Sequence, residues 1–173
     1  MTTNLPNPPS SEKSAYHDTT NEQGAGVIVV CTKTRRILLG LRGRICSDPE
    51  TWAPFGGMVD SGEDPETAAF RELDEEAGVL ATFTEQTPKL YTNEGANGFK
   101  FHTYLFFSPY EMKVTINEES SGFAWFSFDK LPKNLHPGFQ ELIEHGGWHM
   151  LSAKFGHEVE PGDLQYFSQY GNL

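Results

Sequence analysis

The hydrophobic residues of this chain are grouped in short β-branched or aromatic runs that are separated by turn residues. A run at residues 26–32 predicts a buried strand, and the run at 37–41 predicts a second strand that pairs back on it. Residues 52–59 are aromatic and Gly-rich, which predicts a strand followed by a tight turn. Residues 94–98 predict a hairpin loop. Further short strands are predicted at 80–84, 89–92, 99–107, 113–116 and 124–128.

One segment carries a strong helix pattern. Asp64 is a good N-cap, Pro65 suits the first helical position, and Gly78 supplies the C-terminal stop. Between these ends, apolar residues recur every four positions and predict a buried stripe: Ala69, Leu73 and Ala77. A second helix is predicted at 139–145, after a Pro-Gly pair.

The order of these elements predicts the fold class and the domain organisation. Strands on both sides of one strong helix, with a later helix, indicate an α+β fold, an α/β/α sandwich built on a mixed β-sheet. The 173 residues suit one domain, expected at 23–145. Residues 1–22 are polar and Pro-rich and predict a flexible arm or a strap. The aromatic but weakly patterned residues 146–173 are expected to pack on the domain or on a second subunit, in a possible homodimer.

Composition and charge narrow the function classes. The formal net charge of -11 argues against a surface for polymeric nucleic acid, although a metal ion can invert the local charge at a nucleotide site. No apolar run approaches transmembrane length and the N-terminus has no signal-peptide pattern, so a cytoplasmic protein without a membrane partner is expected. Cys31 and Cys46 are interpreted as reduced thiols rather than as a disulfide framework.

The first helix carries the residues from which chemistry is expected. Glu72, Glu75 and Glu76 stand at positions i, i+3 and i+4 and therefore share one face of the helix. Like charges at this spacing destabilise a helix by a few tenths of a kcal/mol per pair, roughly. A bound Mg²⁺ or Mn²⁺ ion removes this conflict, because hard cations prefer carboxylate oxygens. The pattern thus predicts a divalent metal site.

The segment before the helix fits the same chemistry. Gly56 and Gly57 allow the backbone to approach closely, so the Gly57 carbonyl can serve as a further oxygen ligand. Glu63 is placed to pair with Arg71 and to hold the helix against this loop.

Two other interpretations of this region explain less. If the segment were an acidic amphipathic helix that arose by chance, the spacing of its glutamates, of Arg71 and of the glycines before it would have no explanation. A calcium-binding loop at 60–64 lacks the EF-hand arrangement of ligands over about twelve residues, and Pro65 begins a helix too early. Metal preference and turnover separate a calcium-binding module from a metal-dependent enzyme, since the module takes Ca²⁺ and releases no phosphate product.

Residues 57–79 resemble the signature of the Nudix hydrolase family, G-x5-E-x7-R-E-U-x-E-E-x-G-U, where U is a bulky apolar residue. The segment reads GMVDSGEDPETAAFRELDEEAGV, and every spacing is intact. The matching residues are Gly57, Glu63, Arg71, Glu72, Leu73, Glu75, Glu76, Gly78 and Val79. The likeness extends over about residues 24–145, with one departure at Phe55, where the family usually has proline.

The resemblance implies hydrolysis of a phosphoanhydride bond in a nucleoside diphosphate linked to another moiety, or in a (d)NTP. It implies that Gly57, Glu72, Glu75 and Glu76 hold Mg²⁺ or Mn²⁺ and that Arg71 orients the glutamates. It also implies a general base, either a glutamate of the box, for which Glu75 is named, or one of a later loop. For the later loop the first candidate is Glu119, with two residues in reserve, Glu118 and Glu94.

The substrate side is less defined by the sequence. Arg42 and Arg44 leave the second strand and are candidates for gripping phosphate, with solvated turn charges as the alternative. Stacking of the base is assigned to one of three aromatic residues, Phe55, Phe101 or Tyr104, among which the sequence does not choose. The expected partner is a small-molecule nucleotide of the ADP-ribose, dinucleoside polyphosphate, nucleotide sugar or (d)NTP type. The alternative function is a catalytically silent Nudix domain that binds a nucleotide as a sensor or scaffold.

Overall fold

A mixed β-sheet forms the centre of the computed structural model, which describes residues 22–81 and 87–154. Within these residues the sheet has seven strands: β1 (Gln23–Cys31), β2 (Arg36–Arg42), β3 (Trp52–Ala53), β4 (Phe55–Met58), β5 (Lys89–Glu94), β6 (Lys100–Ser108) and β7 (Ser120–Ser127). The helices are α1 (Pro65–Ala77), α2 (Pro137–His145) and α3 (Trp148–Lys154).

Strand β1 organises the sheet. It pairs in parallel with β6 along its whole length, from Gln23 opposite Lys100 to Cys31 opposite Ser108. On its other side, its C-terminal end pairs antiparallel with β2 and its N-terminal end pairs antiparallel with β4. The last residues of β2 pair instead with β3, and β7 pairs antiparallel with β2 along the whole length of that strand. The β3–β4 segment therefore fills the space where β1 and β2 diverge, and the sheet is mixed as predicted.

Both faces of the sheet are covered. Successive side chains of a strand point to opposite faces. Accordingly, Val27 and Val29 of β1 pack in one core with α1, whereas Ile28 and Val30 pack in a second core with α2 and α3. Burial on both faces explains the continuous apolar run in this strand. The α/β/α sandwich predicted from the order of elements is confirmed.

The ends of α1 are set by local interactions. The Asp64 side chain accepts hydrogen bonds from the backbone N–H groups of Glu66 and Thr67, at 3.2 and 3.0 Å. Gly78 ends the helix in the left-handed conformation, with φ 61°, and its N–H donates to the Asp74 carbonyl. Such caps satisfy backbone groups that the helix itself leaves unpaired. The predicted bounds of this helix are confirmed.

The strand predicted at 113–116 is wrong. Val114 and Ile116 pack against the core on the α1 side, which explains the alternating pattern. The backbone between them, however, pairs with the end of α1: the Thr115 N–H donates to the Ala77 carbonyl at 2.8 Å. The segment thus hydrogen-bonds to carbonyls of the helix instead of to a neighbouring strand. Of the strand predicted at 80–84, residues 80 and 81 are not in a strand and the rest lie outside the described residues.

The segment after α2 adds to the second core. Trp148 and Leu151 of α3 are buried there, and the Trp148 ring contacts Phe128 and Phe139 at centroid distances of 5.0 and 5.6 Å. Residues 155–173 of the predicted extension and residues 1–21 of the predicted arm lie outside the described residues. The roles expected for the two segments stay predictions. Among the described helices, none has the length and apolarity needed to cross a membrane.

His102 on β6 makes folding sensitive to mild acid. Its ring is buried, with Nε2 2.7 Å from Gln23 Oε1 and Nδ1 3.0 Å from Thr92 Oγ1. Burial, with Lys89 and Lys100 nearby, lowers the pKa of His102 from 6.5 to about 4. A histidine that folds in its neutral form stabilises the protein fully above its unfolded pKa, and this contribution is lost as the pH falls from 6.5 towards 4.

We expect the stability advantage of the wild type over His102→Gln to shrink by roughly 1–3 kcal/mol between about pH 7.5 and 4.5. The measurement is urea unfolding of both proteins across this range. A constant difference between the two proteins would show that His102 does not titrate with folding.

Candidate active site

Arg71, in the middle of α1, lies at the centre of a cluster of acceptors from this helix and from the segment before it. Its guanidinium group contacts both carboxylate oxygens of Glu63, with Nε at 3.0 Å and Nη2 at 2.9 Å. Nη1 donates to Glu72 Oε1 at 2.9 Å and to Glu75 Oε2 at 3.1 Å. Nη2 also donates to the Met58 carbonyl at 3.0 Å. The pairing of Glu63 with Arg71 is the one that the sequence predicts.

This cluster joins α1 to the loop that precedes it. The hydrogen bond from Arg71 lowers the pKa of Glu63, and the same contact, with that to Glu72, raises the pKa of Arg71. Both groups are therefore charged at any physiological pH. A bidentate pair between charged groups fixes orientation as well as distance, so Arg71 determines how Glu72 and Glu75 are presented.

Glu76 lies on the same face of α1 and is buried next to β4. Only 8% of the residue is exposed, and its Oε2 accepts a hydrogen bond from the Gly56 N–H at 3.1 Å. Burial raises the pKa of Glu76 to about 8; the Gly56 bond opposes this, and the charges of Glu119 and Glu72 add to it. A buried carboxylate with two other carboxylates nearby is stabilised by a cation.

Glu72 lies directly against the backbone of β4. A Cβ atom added at Gly57 would come within 2.6 Å of both carboxylate oxygens of Glu72, so a side chain there would push this carboxylate out of its present position. Burial raises the pKa of Glu72, Arg71 lowers it, and Glu75 and Glu119 raise it further. Glu72 and Glu76 thus lie against two successive residues of β4, Gly57 and Gly56.

Glu119, in the loop before β7, lies near the box glutamates, and its charge raises the pKa of Glu72 and of Glu76. Its carbonyl accepts a hydrogen bond from the Gly43 N–H at 2.7 Å and one from the Cys46 thiol at 3.3 Å. With Glu76 and Arg42, it lines a small cleft beside the helix. The structure therefore brings together Glu119 and the box glutamates. Glu118 and Glu94 line neither this cleft nor the larger cavity described below.

The two predicted arginines have different surroundings. Arg42 is held by Ser47, whose carbonyl accepts from Nε at 2.8 Å and whose hydroxyl accepts from Nη2 at 3.1 Å. Arg42 lines both the small cleft and the larger cavity. The Arg44 side chain is 89% exposed beside Glu50 and lines neither. Of the two, Arg42 is the one placed at the site.

A larger, mainly apolar cavity of about 230 Å³ adjoins the cleft on the α2 side of the sheet. Gly56 lines this cavity and also donates to Glu76, so the cavity and the carboxylates meet at β4. Among the three aromatic candidates, Phe101 lines the cavity, whereas Phe55 is only 2% exposed and lines the small cleft. Tyr104 packs in the α1 core, where burial raises its pKa to about 12.

Sequence reasoning missed His136 at the rim of the cavity. Its Nδ1 accepts a hydrogen bond from the Gly138 N–H at 3.1 Å and thereby caps α2. Burial and the nearby charge of Arg42 lower the pKa of His136, so the ring is neutral. Because Nδ1 is an acceptor, the proton resides on Nε2, which lies 3.4 Å from Asp48 Oδ2. A histidine directly before a Pro-Gly helix start was the available sequence signal.

The carboxylates of the site do not converge on one point in this structure. In the stretches 22–81 and 87–154, no three His, Cys, Asp or Glu side chains converge as a metal cluster. The contacts above explain this, because Arg71 draws Glu72 and Glu75 to one side while the Gly56 N–H holds Glu76. The donor set nevertheless fits a hard divalent cation, since it consists of carboxylates, one of them buried, beside a glycine backbone.

Comparison with known proteins assigns the class. A family model described as the NUDIX domain matches residues 20–146. The chain therefore belongs to the Nudix hydrolase family, as its signature segment predicts.

Individual relatives agree with this assignment. The chain is 44% identical over 66 residues to a CMP-5'-(N-acetyl-N-hydroxy-3-aminopropyl)phosphonate hydrolase of Streptomyces rubellomurinus, covering 38% of this chain and 32% of that protein. It is 36% identical over 87 residues to nucleoside triphosphatase NudI of Escherichia coli, covering 44% of this chain and 62% of that one. The chain thus spans less than two thirds of either relative. A MutT NUDIX hydrolase structure from Burkholderia pseudomallei superposes with a TM-score of 0.60 at 27% identity, covering 71% of this chain and 95% of that one.

We expect Arg71→Met to destabilise the fold by roughly 1–3 kcal/mol, because it leaves the carboxylate of Glu63 partly buried without its partner. The matched control is Arg36→Met, whose ion pair with Glu111 lies at the surface and is expected to contribute within about 0.5 kcal/mol. Urea unfolding at neutral pH measures both changes. Equal losses in the two variants would contradict a structural role for Arg71.

Proposed function

We propose that this protein hydrolyses a phosphoanhydride bond in a nucleotide with the help of a divalent metal ion. The substrate class is a nucleoside diphosphate linked to another moiety, or a nucleoside triphosphate. The observation that carries the proposal is that Glu76 of the helix and Glu119 of a distant loop line one cleft with Arg42. Glu72 of the same helix lies against Gly57 of the neighbouring strand β4. Carboxylates in this arrangement suit the binding of cations that act on phosphate groups.

Four residues are proposed to hold Mg²⁺ or Mn²⁺: Glu72, Glu75, Glu76 and, through its carbonyl, Gly57. A bound ion of this kind neutralises charge on phosphate oxygens and lowers the pKa of water. The protein's contribution is to fix the ligands in place. Arg71 orients Glu72 and Glu75 through Nη1, and the Gly56 N–H orients Glu76.

Two further residues are proposed to act on the substrate and on water. Glu119 is the proposed general base, because it lines the cleft beside Glu76. Arg42 is the proposed phosphate contact, because Ser47 holds its guanidinium group where the cleft and the cavity adjoin. Phosphoryl transfer by positioning and charge neutralisation needs no protein nucleophile.

The relatives support a nucleotide as the substrate. One is named a nucleoside triphosphatase and the other a hydrolase of a CMP-linked phosphonate. Both names describe a nucleotide with a hydrolysable bond at its phosphate end. The net charge of -11 further favours a small nucleotide over a polymeric nucleic acid.

We expect Glu72→Gln and Glu76→Gln each to lower turnover by about 100-fold or more. Changing a residue that only supports a metal ligand lowers activity by roughly 10- to 100-fold, and loss of the ligand itself is expected to cost at least as much. The assay is phosphate or pyrophosphate release with Mg²⁺ or Mn²⁺ over (d)NTPs, nucleotide sugars, dinucleoside polyphosphates and ADP-ribose. The control is Glu144→Gln, at a side chain that is 70% exposed on α2. Nucleotide and metal binding without turnover of any substrate would favour the silent binding domain instead.

We expect Glu119→Gln to lower kcat by about 10²- to 10⁴-fold, the range for loss of a general base. Glu118→Gln is the matched neighbour and is expected to keep kcat within about twofold, as a surface substitution does. Steady-state kinetics on the substrate identified in the screen separates kcat from KM. A larger loss in Glu118→Gln would assign the base to that residue, and an unchanged kcat in Glu119→Gln would return the role to a glutamate of the box, for which Glu75 is the candidate.

A further inference from the structure

Two glycines interrupt the central strand on one face. Gly24 and Gly26 lie in β1, where the following residues are β-branched and buried. Glycine weakens a strand, because it loses more backbone freedom on folding and offers no side chain to pack. Glycines inside a strand often mark a place where another group approaches closely.

The group that approaches is the ring of Phe101 on the neighbouring strand β6. A Cβ atom at Gly24 would meet Phe101 Cδ2 at 2.6 Å and Phe99 Cζ at 3.0 Å. A Cβ atom at Gly26 would meet Phe101 Cζ at 3.1 Å and the Phe55 carbonyl oxygen at 2.7 Å. The Phe101 ring therefore lies across both glycines, in space that any other residue would occupy.

This position makes Phe101 part of the floor of the larger cavity. Phe99, Phe101 and Thr103 line it from β6 and the loop before it, and Phe139 and Leu142 of α2 line it from above. Most of the exposed lining is apolar, although five polar side chains border the cavity: Arg42, Asn93, Thr103, His136 and Glu141. Of these, Asn93 is already bonded through Nδ2 to the Gly138 carbonyl at 3.3 Å. An apolar cavity with an aromatic floor suits a planar heterocycle better than a sugar or a phosphate.

Another part of the cavity lining suits phosphate. Arg42 borders both the cavity and the carboxylate cleft, and Gly56 joins the cavity to Glu76. A nucleotide with its base over Phe101 thus has its phosphates directed towards Arg42 and the glutamates. This orientation matches the chemistry proposed for the cleft.

We propose that Phe101, given its position by Gly24 and Gly26, is the platform on which the nucleobase of the substrate stacks. The platform then favours ligands that carry a base over ligands that lack one, and Gly24 and Gly26 are positioning residues for the platform. The inference rests on the proposed function for the orientation of the phosphates. Binding of the base is tested apart from hydrolysis, so the two can fail separately.

The experiment measures binding of AMP, GMP, CMP, UMP and ribose 5-phosphate to the full chain by calorimetry with Mg²⁺ present. We expect at least one nucleotide to bind about 10-fold or more tightly than ribose 5-phosphate, as stacking of a base on an aromatic ring provides. Phe101→Leu keeps an apolar lining without the ring and is expected to bring the affinity for that nucleotide close to that for ribose 5-phosphate. Phe101→Trp is expected to restore binding to within about threefold.

A second variant tests the platform through its support. Gly24→Ala displaces the Phe101 and Phe99 rings and meets no backbone atom among its nearest neighbours. We expect it to weaken nucleotide binding, and to add no further loss in the Phe101→Leu protein. The control is Phe123→Leu, at a ring that is 41% exposed on β7 and lines neither cavity. Thermal unfolding confirms that each variant is folded.

Two outcomes would overturn the proposal: no nucleotide binding more tightly than ribose 5-phosphate, or Phe101→Leu binding its nucleotide as tightly as the wild type. Independent, additive losses from Gly24→Ala and Phe101→Leu would also remove the positioning role of the glycine. Nucleotide binding that depends on Phe101, with no turnover of any substrate, would uphold the platform and contradict the proposed hydrolysis.

Discussion

The contact between Arg71 and Glu63 is the interaction on which the rest of the site depends. The first helix carries Glu72, Glu75 and Glu76 on one side, and like charges at this spacing repel one another. One guanidinium group neutralises two of them and also grips Glu63 in the preceding loop. Helix, loop and carboxylates are thus held by a single planar group, whose fixed donor geometry lysine does not reproduce.

The third carboxylate depends on the sheet rather than on this arginine. Glu76 is bonded to the N–H of Gly56, and Gly56 belongs to the short strand that pairs with the N-terminal half of β1. A Cβ atom at Gly56 would meet the backbone of Ala25 and Gly26, so this strand can approach only with glycine there. The same backbone borders the apolar cavity, which places substrate binding and the carboxylates on two sides of one strand.

Local patterns predicted the elements well where neighbouring residues control them. The bounds of the first helix follow from Asp64 and Gly78, which satisfy backbone groups within one turn of the helix end. The pattern at 113–116 misled, because Val114 and Ile116 are indeed turned towards the core. Alternation reports which side chains are buried, and it carries no information on whether the backbone between them meets a strand or the end of a helix.

The sequence by itself determined the family and the residues of the acidic helix, because the signature lies within one continuous segment, 57–79. Local periodicity there decides which residues share a face. Only the tertiary structure decided that Glu119 lines a cleft with Glu76, that Arg42 rather than Arg44 borders it, and that Phe101 borders the cavity. Contacts of this kind join residues far apart in the chain, and their positions follow from strand register and loop packing, which leave no periodic trace in one sequence.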